Sequence, residues 1–321
     1  MGVVSTNNFT IVIPTRNRPL KVTKLLMSIC QSEIQPHQVV VVASGDDIYQ
    51  AVSSFETKLP IKYIYSERPG QIAQKKIGIH SVISEIEWIL FLDDDVLLSQ
   101  SAISTAFKTL QLLEKTEQEK VLGIGLAIES TSRTKNSSKL AKVFGKFFYL
   151  YDQKPGVVLR SGQTTSYLDS SKPIYTEWLN GISMWRFSAC REYLKVEINS
   201  KYAACEDLIF SYPQSRKGNL LFSPTSHVHF QDLEYTDFEN SSVMETAAFN
   251  RMFFVMQNKD FSKWLCLWSQ LGRSLFAVFA KRFSPGTIIS NAFLLVKLFF
   301  VCLRPNLLRR FLSSTEGEKL L

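Results

Sequence analysis

The sequence is poor in cysteine and has no segment typical of a secretion signal. Its five cysteines are odd in number and widely spaced, and none belongs to a Cys-x-x-Cys pair. This pattern argues against a zinc knuckle, a dithiol redox motif and a disulfide framework. Residues 1–8 have neither a basic segment nor an apolar run. We therefore predict no signal peptide and a reduced, cytosolic protein.

Glycine and proline are also scarce, with 14 and 11 residues among 321, and 45% of the residues are apolar. These values exclude the collagen-like, disordered and coiled-coil classes of protein. They predict an ordinary globular chain that is long enough to bury a sizeable core.

Acidic residues are almost absent from the C-terminal end of the chain. Residues 261–321 contain nine Lys or Arg and two Glu, and they carry +7 of the total net charge of +8. A nucleic-acid-binding protein normally has its basic patch on the folded domain, whereas here the body of the chain is nearly neutral. We therefore predict no nucleic-acid partner.

The same C-terminal region is the most apolar part of the chain. Its apolar runs are interrupted by basic residues and are each shorter than the ~20 residues that span a bilayer, so we expect no transmembrane helix. Ser290, Lys297 and Arg304 recur every seven residues and share one face of a predicted helix. This pattern favours an amphipathic helix on an anionic membrane surface, and the alternative is a helix packed on the protein's own core. The apolar face of the helix consists of Ile289, Phe293, Val296, Phe300, Leu303 and Leu307.

Short β-branched runs alternate with helical periodicity in the first part of the chain. Continuous apolar runs are typical of strands that are buried on both faces, and their spacing leaves room for one helix between neighbours. We therefore predict an α/β fold with a parallel sheet. The predicted strands are 9–13, 39–43, 61–65 and 88–92, and the predicted helices are 19–30 and 71–82.

The alternation lapses after residue 95. We predict a helix at 99–118 and a strand at 121–128. A Ser-, Thr-, Lys- and Asn-rich loop follows at 130–139, and we interpret it as a lid because it comes after an acidic cluster.

That acidic cluster consists of Asp93, Asp94 and Asp95, which directly follow a predicted buried strand. In an open α/β sheet, ligands bind at the carboxyl ends of the strands. Asp93 and Asp95 can converge on a hard divalent cation, which would offset the repulsion among three adjacent carboxylates. The alternative is a solvated turn, although a turn more readily uses Gly or Asn.

Two further groups of polar residues follow. Glu206 and Asp207 lie in an otherwise apolar stretch, where burial would make a carboxylate a general base. The alternative is an acidic cap at the start of a helix. His227 and His229 flank one residue of a predicted strand, so both imidazoles lie on the same side and can bind a metal.

Six segments carry recognisable motifs: IVIPTRNRPLKVTKLLMSI (11–29), GQIAQKKIGI (70–79), WILFLDDDV (88–96), WLNGISMWR (178–186), CEDLIFSYPQSRKG (205–218) and SPTSHVHF (223–230). They occur in the order found in family 2 glycosyltransferases, which the chain resembles from about residue 9 to residue 230. The third resembles the metal-binding D-x-D strand of the family. The resemblance implies a GT-A domain at 1–235, which is a Rossmann-like, mixed and mostly parallel sheet flanked by helices. A C-terminal amphipathic helical extension at 236–321 follows it.

The resemblance also implies a role for each site residue. Asp207 would be the general base of an inverting transfer, with Glu206 as its supporting neighbour. The residues implied in binding the nucleotide-sugar donor are Pro14, Thr15, Arg16, Arg18, Ser44, Lys75, Asp93 and Asp94. Those implied in holding Mn²⁺ or Mg²⁺ are Asp93, Asp95 and His229, and those implied in the acceptor pocket are Trp178 and Gly181.

The implied function is a metal-dependent hexosyltransferase that moves a sugar from a nucleotide-diphosphate sugar to a glycan or lipid-linked acceptor. We expect it to act in cell-envelope polysaccharide synthesis, peripherally on the cytoplasmic face of the membrane. Ser44 stands where the family usually has an acid, and Lys75-Lys76 replaces an Arg-Asn pair. These departures leave open a non-catalytic scaffold that only binds a nucleotide-sugar or a partner.

The other alternative is an Asp-nucleophile phosphohydrolase that uses Asp93 and Asp95. Such enzymes place the Asp pair after their first strand, with Thr or Val two residues later. Here the pair follows the fourth predicted strand, and Leu97 stands at that position.

Overall fold

The computed structural model describes residues 8–83, 85–129, 138–198, 203–231, 241–279 and 285–314. The chain divides into two compact units. Unit 1 comprises Met1–Arg133, Tyr167–Val196 and Phe210–Leu233, and unit 2 comprises Thr134–Ser166, Glu197–Ile209 and Glu234–Leu321.

Strands and helices alternate in the first part of the chain, and helices predominate in the last. The strands are β1 (Phe9–Arg16), β2 (Gln38–Ser44), β3 (Ile61–Tyr65), β4 (Trp88–Phe91), β5 (Val96–Leu98), β6 (Val121–Glu129), β7 (Ile174–Thr176), β8 (Ser183–Arg186) and β9 (Asn219–Phe230) among the described residues. The helices there are α1 (Pro19–Cys30), α2 (Tyr49–Ser53), α3 (Gln71–His80), α4 (Ala102–Gln111), α5 (Lys115–Lys120), α6 (Lys139–Phe147), α7 (Phe187–Tyr193), α8 (Glu206–Ser215), α9 (Ser241–Gln257), α10 (Lys263–Phe279), α11 (Pro285–Leu303) and α12 (Leu307–Ser314).

The strands of unit 1 form a single mixed sheet in the order β3-β2-β1-β4-β8-β6-β9-β5, with β7 also paired to β9. The four strands from β3 to β4 are parallel to one another. β8 then runs antiparallel to both of its neighbours, β4 and β6, whereas β6 and β9 are parallel. The predicted mixed, mostly parallel sheet flanked by helices is confirmed.

The parallel half of the sheet forms because its strands are apolar on both faces. All seven residues of β2 and all four of β4 are buried. α3 packs closely on β1 at Gly78, where a Cβ atom would lie only 2.3 Å from Cγ1 of Val12. The apolar runs and the helical periodicity therefore placed β1 to β4, α1 and α3 to within a few residues.

The predicted helix at 99–118 is wrong in one respect, because it is two helices. α4 buries Ala102, Ile103, Ala106, Phe107 and Leu110, whereas α5 buries none of its residues. The chain therefore follows the core through α4 and leaves it at the break between the two helices. The predicted lid falls largely on residues 130–137, which lie outside the described residues, and Lys139 belongs to α6 rather than to a loop.

The C-terminal helices of unit 2 include a long helix at the predicted place, α11. Ile289, Phe293, Val296, Phe300 and Leu303 lie on its exposed side, as the apolar face was defined from the sequence. Among the described helices, α11 is also the one long and apolar enough to cross a membrane by length and composition, over Gly286–Leu303. It reaches this length because the helix continues through Lys297 and so joins two apolar runs that are each shorter than a membrane span.

Candidate active site

The acidic triplet lies where the sequence predicted it, in the turn between β4 and β5. Asp94 is buried and accepts hydrogen bonds from Thr15 Oγ1 at 2.7 Å and from Arg18 Nη1 at 3.0 Å. The same guanidinium nitrogen of Arg18 lies 3.6 Å from Asp95 Oδ2. Asp94 therefore connects the loop after β1 to the triplet, and its two oxygens both have partners within the chain.

Asp93 faces a different set of neighbours. Its Oδ1 accepts a hydrogen bond from Gln71 Nε2 at 2.7 Å. A Cβ atom on Gly181 would lie 3.8 Å from Asp93 Oδ2 and 3.9 Å from Lys75 Nζ. The structure thus brings a predicted metal ligand, a predicted phosphate contact and a predicted acceptor residue around one point.

Lys75 is an almost fully buried lysine, with 1% of its surface exposed. Its ammonium group lies 5.4 Å from the ring centre of Phe91 and 6.0 Å from that of Tyr193, and both rings offer it a cation-π contact. A buried cation beside the triplet offsets part of its negative charge.

The triplet still carries an excess of negative charge. Burial raises the pKa of Asp94 against the opposing effects of Thr15 and Arg18. Burial also raises the pKa of Asp95, and the charges of Asp93 and Asp94 raise it further. A divalent cation would relieve the repulsion among these carboxylates, and carboxylate oxygens are the ligands that hard divalent cations prefer. The chemistry of Asp93 and Asp95 therefore fits Mn²⁺ or Mg²⁺.

Gln74 is a residue of the site that the sequence interpretation missed. Its Nε2 donates to the carbonyl oxygens of Thr15 at 2.6 Å and Val42 at 2.7 Å, and so ties together the ends of β1 and β2. Gln71, Gln74 and Lys75 stand at positions i, i+3 and i+4 of α3 and therefore share one face. Three polar residues on a helix face that packs on a sheet were the available signal.

Buried polar groups without a hydrogen-bond partner among the described residues include two at this edge of the sheet that bear on donor and acceptor binding. They are Ser44 Oγ, at the end of β2, and Asn180 Nδ2, next to Gly181. Buried polar groups are nearly always satisfied, so such groups in a cleft point to a ligand or a water. Ser44 was predicted to bind the donor, whereas Asn180 was missed.

Comparisons with known proteins identify the family and the fold. Residues 10–167 match the model of the family described as Glycosyl transferase family 2. These residues belong to glycosyl transferase family 2. No curated protein matches the chain in sequence.

Solved structures show the fold. The S. aureus protein TarS, residues 1–349 in complex with UDP-GlcNAc, is 14% identical with a TM-score of 0.55, and the match covers 96% of this chain and 89% of that one. The mannosyltransferase PcManGT from Pyrobaculum calidifontis, in complex with GDP-Man and Mn²⁺, is 12% identical with a TM-score of 0.54 and coverages of 96% and 83%. A longer TarS chain is 14% identical with a TM-score of 0.50, and the match covers 86% of this chain but only 43% of that one. The chain therefore has the GT-A fold.

His227 and His229 lie together on β9, as predicted. Their Nδ1 atoms approach the two carboxylate oxygens of Glu129, at 3.0 Å from His227 and 3.3 Å from His229. The His227 contact is within ion-pair distance but is not aligned as a hydrogen bond. Glu129 was missed because it pairs with His229 only through the β6–β9 register.

β9 also borders the triplet. His229 lies opposite Leu97 of β5, and the backbone N–H of Gln231 donates to the carbonyl of Asp95 at 2.8 Å. In the described parts of the chain, no three His, Cys, Asp or Glu side chains are grouped closely enough to form a ready-made metal centre. The structure therefore does not group Asp93, Asp95 and His229 around one point.

The predicted acceptor residue Trp178 packs against a neighbouring aromatic ring. Its ring centre lies 5.0 Å from that of Tyr167, whose hydroxyl accepts a hydrogen bond from the backbone N–H of Asn180 at 2.7 Å. This arrangement fixes the segment that carries Gly181. Trp178 is half-buried, so only part of its indole is available to a sugar ring.

Glu206 and Asp207 begin α8, as the resemblance implied, and lie in unit 2. Glu206 is buried, whereas Asp207 is partly exposed and its Oδ1 accepts from the backbone N–H of Leu208 at 2.8 Å. The preceding residue, Cys205, has a φ of +66°, a backbone conformation that is strained for a residue with a side chain. Such strain is typical of functional turns.

α9 holds this strained turn in place. Asn250 Nδ2 donates to the carbonyl of Ala204 at 2.8 Å. Arg251 donates to Cys205 Sγ at 3.4 Å and to the carbonyl of Gly162 at 2.5 Å. The acidic pair is therefore supported by a helix that follows it by more than 30 residues in the sequence.

Proposed function

We propose that the chain is an inverting, metal-dependent glycosyltransferase of the hexosyltransferase type that uses a nucleotide-diphosphate sugar. The observation that carries the proposal is the approach of Lys75 Nζ and Asp93 Oδ2 to one point beside Gly181. A buried ammonium and a carboxylate at the carboxyl edge of a sheet suit a diphosphate and the cation that accompanies it.

The donor binds at the ends of β1 and β2. Arg18 is half-exposed and can turn a guanidinium toward phosphate. The unpartnered hydroxyl of Ser44 offers a hydrogen bond at the same edge. The remaining donor residues of the proposal are Pro14, Thr15, Arg16, Lys75, Asp93 and Asp94. TarS in complex with UDP-GlcNAc and PcManGT in complex with GDP-Man support a donor of this class.

Asp93 and Asp95 would hold Mn²⁺ or Mg²⁺, and His229 would add a contact to the metal or the diphosphate. When bound, the cation neutralises charge that builds on the departing diphosphate. PcManGT, whose structure contains Mn²⁺ beside its donor, supports this part of the proposal.

Asp207 would take the proton of the acceptor hydroxyl, while Glu206 supports it. The hydroxyl oxygen then bonds to the anomeric carbon as the bond from that carbon to the diphosphate breaks. Attack from the opposite side inverts the configuration, and the nucleoside diphosphate leaves. Trp178 and Gly181 would shape the pocket in which the acceptor sugar lies.

The acceptor we propose is a glycan or lipid-linked saccharide of cell-envelope polysaccharide synthesis. In this proposal residues 1–235 carry the transferase site and 236–321 associate with the membrane. The enzyme would then be peripheral on the cytoplasmic face. The exposed apolar side of α11 supports this location, because lipid-linked acceptors are held at such a surface.

Thermal unfolding with a panel of UDP-, GDP- and dTDP-sugars, each with and without Mn²⁺, tests the proposal. A ligand that binds the folded state raises the unfolding midpoint by mass action, so no acceptor is required. We expect one donor to stabilise the wild type only with Mn²⁺, and Asp95→Asn to abolish the effect. The matched control is Asp152→Asn, because Asp152 is an exposed carboxylate of unit 2, whereas Asp95 lies in unit 1.

Two other results would redirect the proposal. Stabilisation that needs no metal and survives Asp95→Asn would favour the scaffold that binds a nucleotide-sugar without catalysis. Release of inorganic phosphate from a phosphate ester, lost in Asp93→Asn, would favour the phosphohydrolase.

A further inference from the structure

The orientation of α11 is unusual for a helix that faces water. Its polar Lys297 pairs with Glu245 of α9 at 2.5 Å, and Leu298 and Val301 are buried within unit 2. The exposed side instead carries Phe293, 65% exposed, and Ile289, 58% exposed. A large contiguous apolar surface normally marks an interaction site.

A groove runs between α10 and α11 beside this exposed side. The two helices are antiparallel, since Cys302 Sγ lies 3.5 Å from the carbonyl of Lys263 and Ser274 Oγ lies 3.3 Å from Asn291 Oδ1. The groove has a volume of about 400 Å³ and is open on one side. Its lining is almost entirely apolar and includes Trp264, Leu267, Trp268, Leu271, Val296 and Phe299.

One wall of the groove is fixed before any ligand arrives. The indole N–H of Trp268 donates to the carbonyl of Phe147 at 2.9 Å, and its ring stacks on Phe148 at 4.8 Å between centres. An apolar ligand therefore enters a groove whose shape is already set, which lowers the entropic cost of binding.

α6 repeats the pattern of α11. Leu140, Val143 and Phe147 lie on one side of the helix and are 83%, 65% and 62% exposed. The Phe147 ring lies 5.3 Å from that of Trp268, so this apolar stripe continues into the groove. Exposed lysines accompany it at Lys139, Lys142 and Lys146.

The charge around the groove indicates what kind of partner this surface binds. Residues 261–314 contain no Asp or Glu. Arg304 and Arg309, which follow the groove end of α11, are exposed. Apolar surface bordered by positive charge is complementary to an anionic bilayer, in which headgroups carry negative charge above the hydrocarbon.

We propose that α6, α10 and α11 form one lipid-binding face, and that the groove takes up an acyl chain of an anionic phospholipid. The inference rests on the proposed function only for the location at a membrane. The face lies in the headgroup region with its aromatic residues toward the hydrocarbon. The α10–α11 groove then holds one chain between Trp264 and Trp268.

The experiment uses the full chain and vesicles of equal parts phosphatidylcholine and phosphatidylglycerol, with acyl chains either brominated or not. Bromine quenches tryptophan emission at contact. Of the three tryptophans outside the groove, Trp88 and Trp185 are buried and Trp178 is half-buried, and all three lie in unit 1. We expect brominated chains to quench the wild type, and the Trp264→Phe, Trp268→Phe double variant to lose the quenching. Val296→Asp, at a half-exposed groove position, should weaken vesicle binding by roughly tenfold. Gln257→Glu adds the same charge at an exposed position of α9 and should bind as the wild type does.

Three outcomes overturn the inference. Co-sedimentation with vesicles without quenching would place the bound surface elsewhere and leave the membrane location intact. Equal binding to pure phosphatidylcholine vesicles would remove the role of charge. A dimer in solution that Val296→Asp dissociates, without vesicle binding, would show that a second copy of the chain covers the face. None of these outcomes affects the donor-dependent thermal shift, which tests the transferase proposal by itself.

Discussion

Thr15 and Asp94 are joined by a buried 2.7 Å hydrogen bond that spans 79 residues of sequence. It links the end of β1 to the acidic triplet, so the donor loop and the predicted metal site are held as one piece. Asp94 thereby supports the structure of the site, whereas our proposal assigns the metal to Asp93 and Asp95. The three adjacent acids of the sequence are thus divided into two kinds by their partners.

Thr15→Val should destabilise the protein because it removes the donor and leaves a buried carboxylate oxygen less satisfied. A hydrogen bond to a charged group contributes about 1.5–3 kcal/mol, so we expect a loss of that order in the free energy of unfolding. Urea denaturation measures it. Thr23→Val, which removes only an exposed hydrogen bond to the carbonyl of Pro19, is the matched control and should cost less than about 0.5 kcal/mol.

Gly181→Ala should separate ligand binding from stability. The new methyl group would meet Asp93 and Lys75 at ordinary contact distances of 3.8 and 3.9 Å, so the fold accommodates it. It would nevertheless occupy the point that those two charged groups face. We expect an unchanged unfolding midpoint in the absence of ligand and a reduced shift with nucleotide-sugar and Mn²⁺.

Gly78→Ala should instead lower the stability of the ligand-free protein. Its methyl group would lie 2.3 Å from Val12 Cγ1, in the packed contact between α3 and β1. Overpacking of this kind typically costs about 1–3 kcal/mol, so the midpoint should fall before any ligand is added. If Gly181→Ala is itself strongly destabilised, the space between Gly181, Asp93 and Lys75 is not open, and the expectation for that variant is wrong.

The parallel half of the sheet could be predicted from the sequence because burial leaves a local signal. A strand that is covered on both faces is a continuous apolar run, as in β2 and β4, and the helices between carry a 3.6-residue period. Pro19 marked the start of α1 correctly for the same reason, since its missing N–H is tolerated in the first turn. The order of the six motifs then predicted the family.

The partners of the site residues could not be predicted, because they depend on contacts between distant segments. Nothing local in the sequence indicates that Gln74 donates to two strand ends or that Glu129 faces both histidines. The period of α11 gave its two faces but not which of them would pack on the protein. On the packed side, Lys297 pairs with Glu245 of α9, which lies 52 residues earlier in the sequence.

Cys205→Gly should be more stable than Cys205→Ala, the reverse of the usual order in a helix. Both variants lose the contact of the sulfur with Arg251, but only glycine adopts the φ of +66° without strain. The left-handed conformation costs a residue with a Cβ about 1–2 kcal/mol, and we expect a difference of that size between the two free energies of unfolding. Equal stabilities would indicate that the turn relaxes when the sulfur is removed.

Stability should fall at alkaline pH because of the buried thiols. All five cysteines are free, and burial raises the pKa of Cys266 to about 12 and that of Cys302 to about 11. An unfolded cysteine titrates near ~8.5, so above that pH the unfolded chain releases protons that the folded chain retains. The contribution of these two thiols is therefore complete below pH ~8.5 and is lost as the pH rises toward 11 and 12.

Iodoacetamide labelling followed by peptide mass spectrometry measures how strongly burial protects each thiol. At pH ~8.5 we expect slow modification of the partly exposed Cys30 and almost none of Cys266, whose thiol remains protonated and buried. Denaturant should bring all five to similar rates. A Cys266→Ala variant isolates the effect on stability, because its free energy of unfolding should decline less steeply with pH than that of the wild type. Rapid native labelling of Cys266 at that pH would mean that α10 opens locally and that its burial does not protect the thiol.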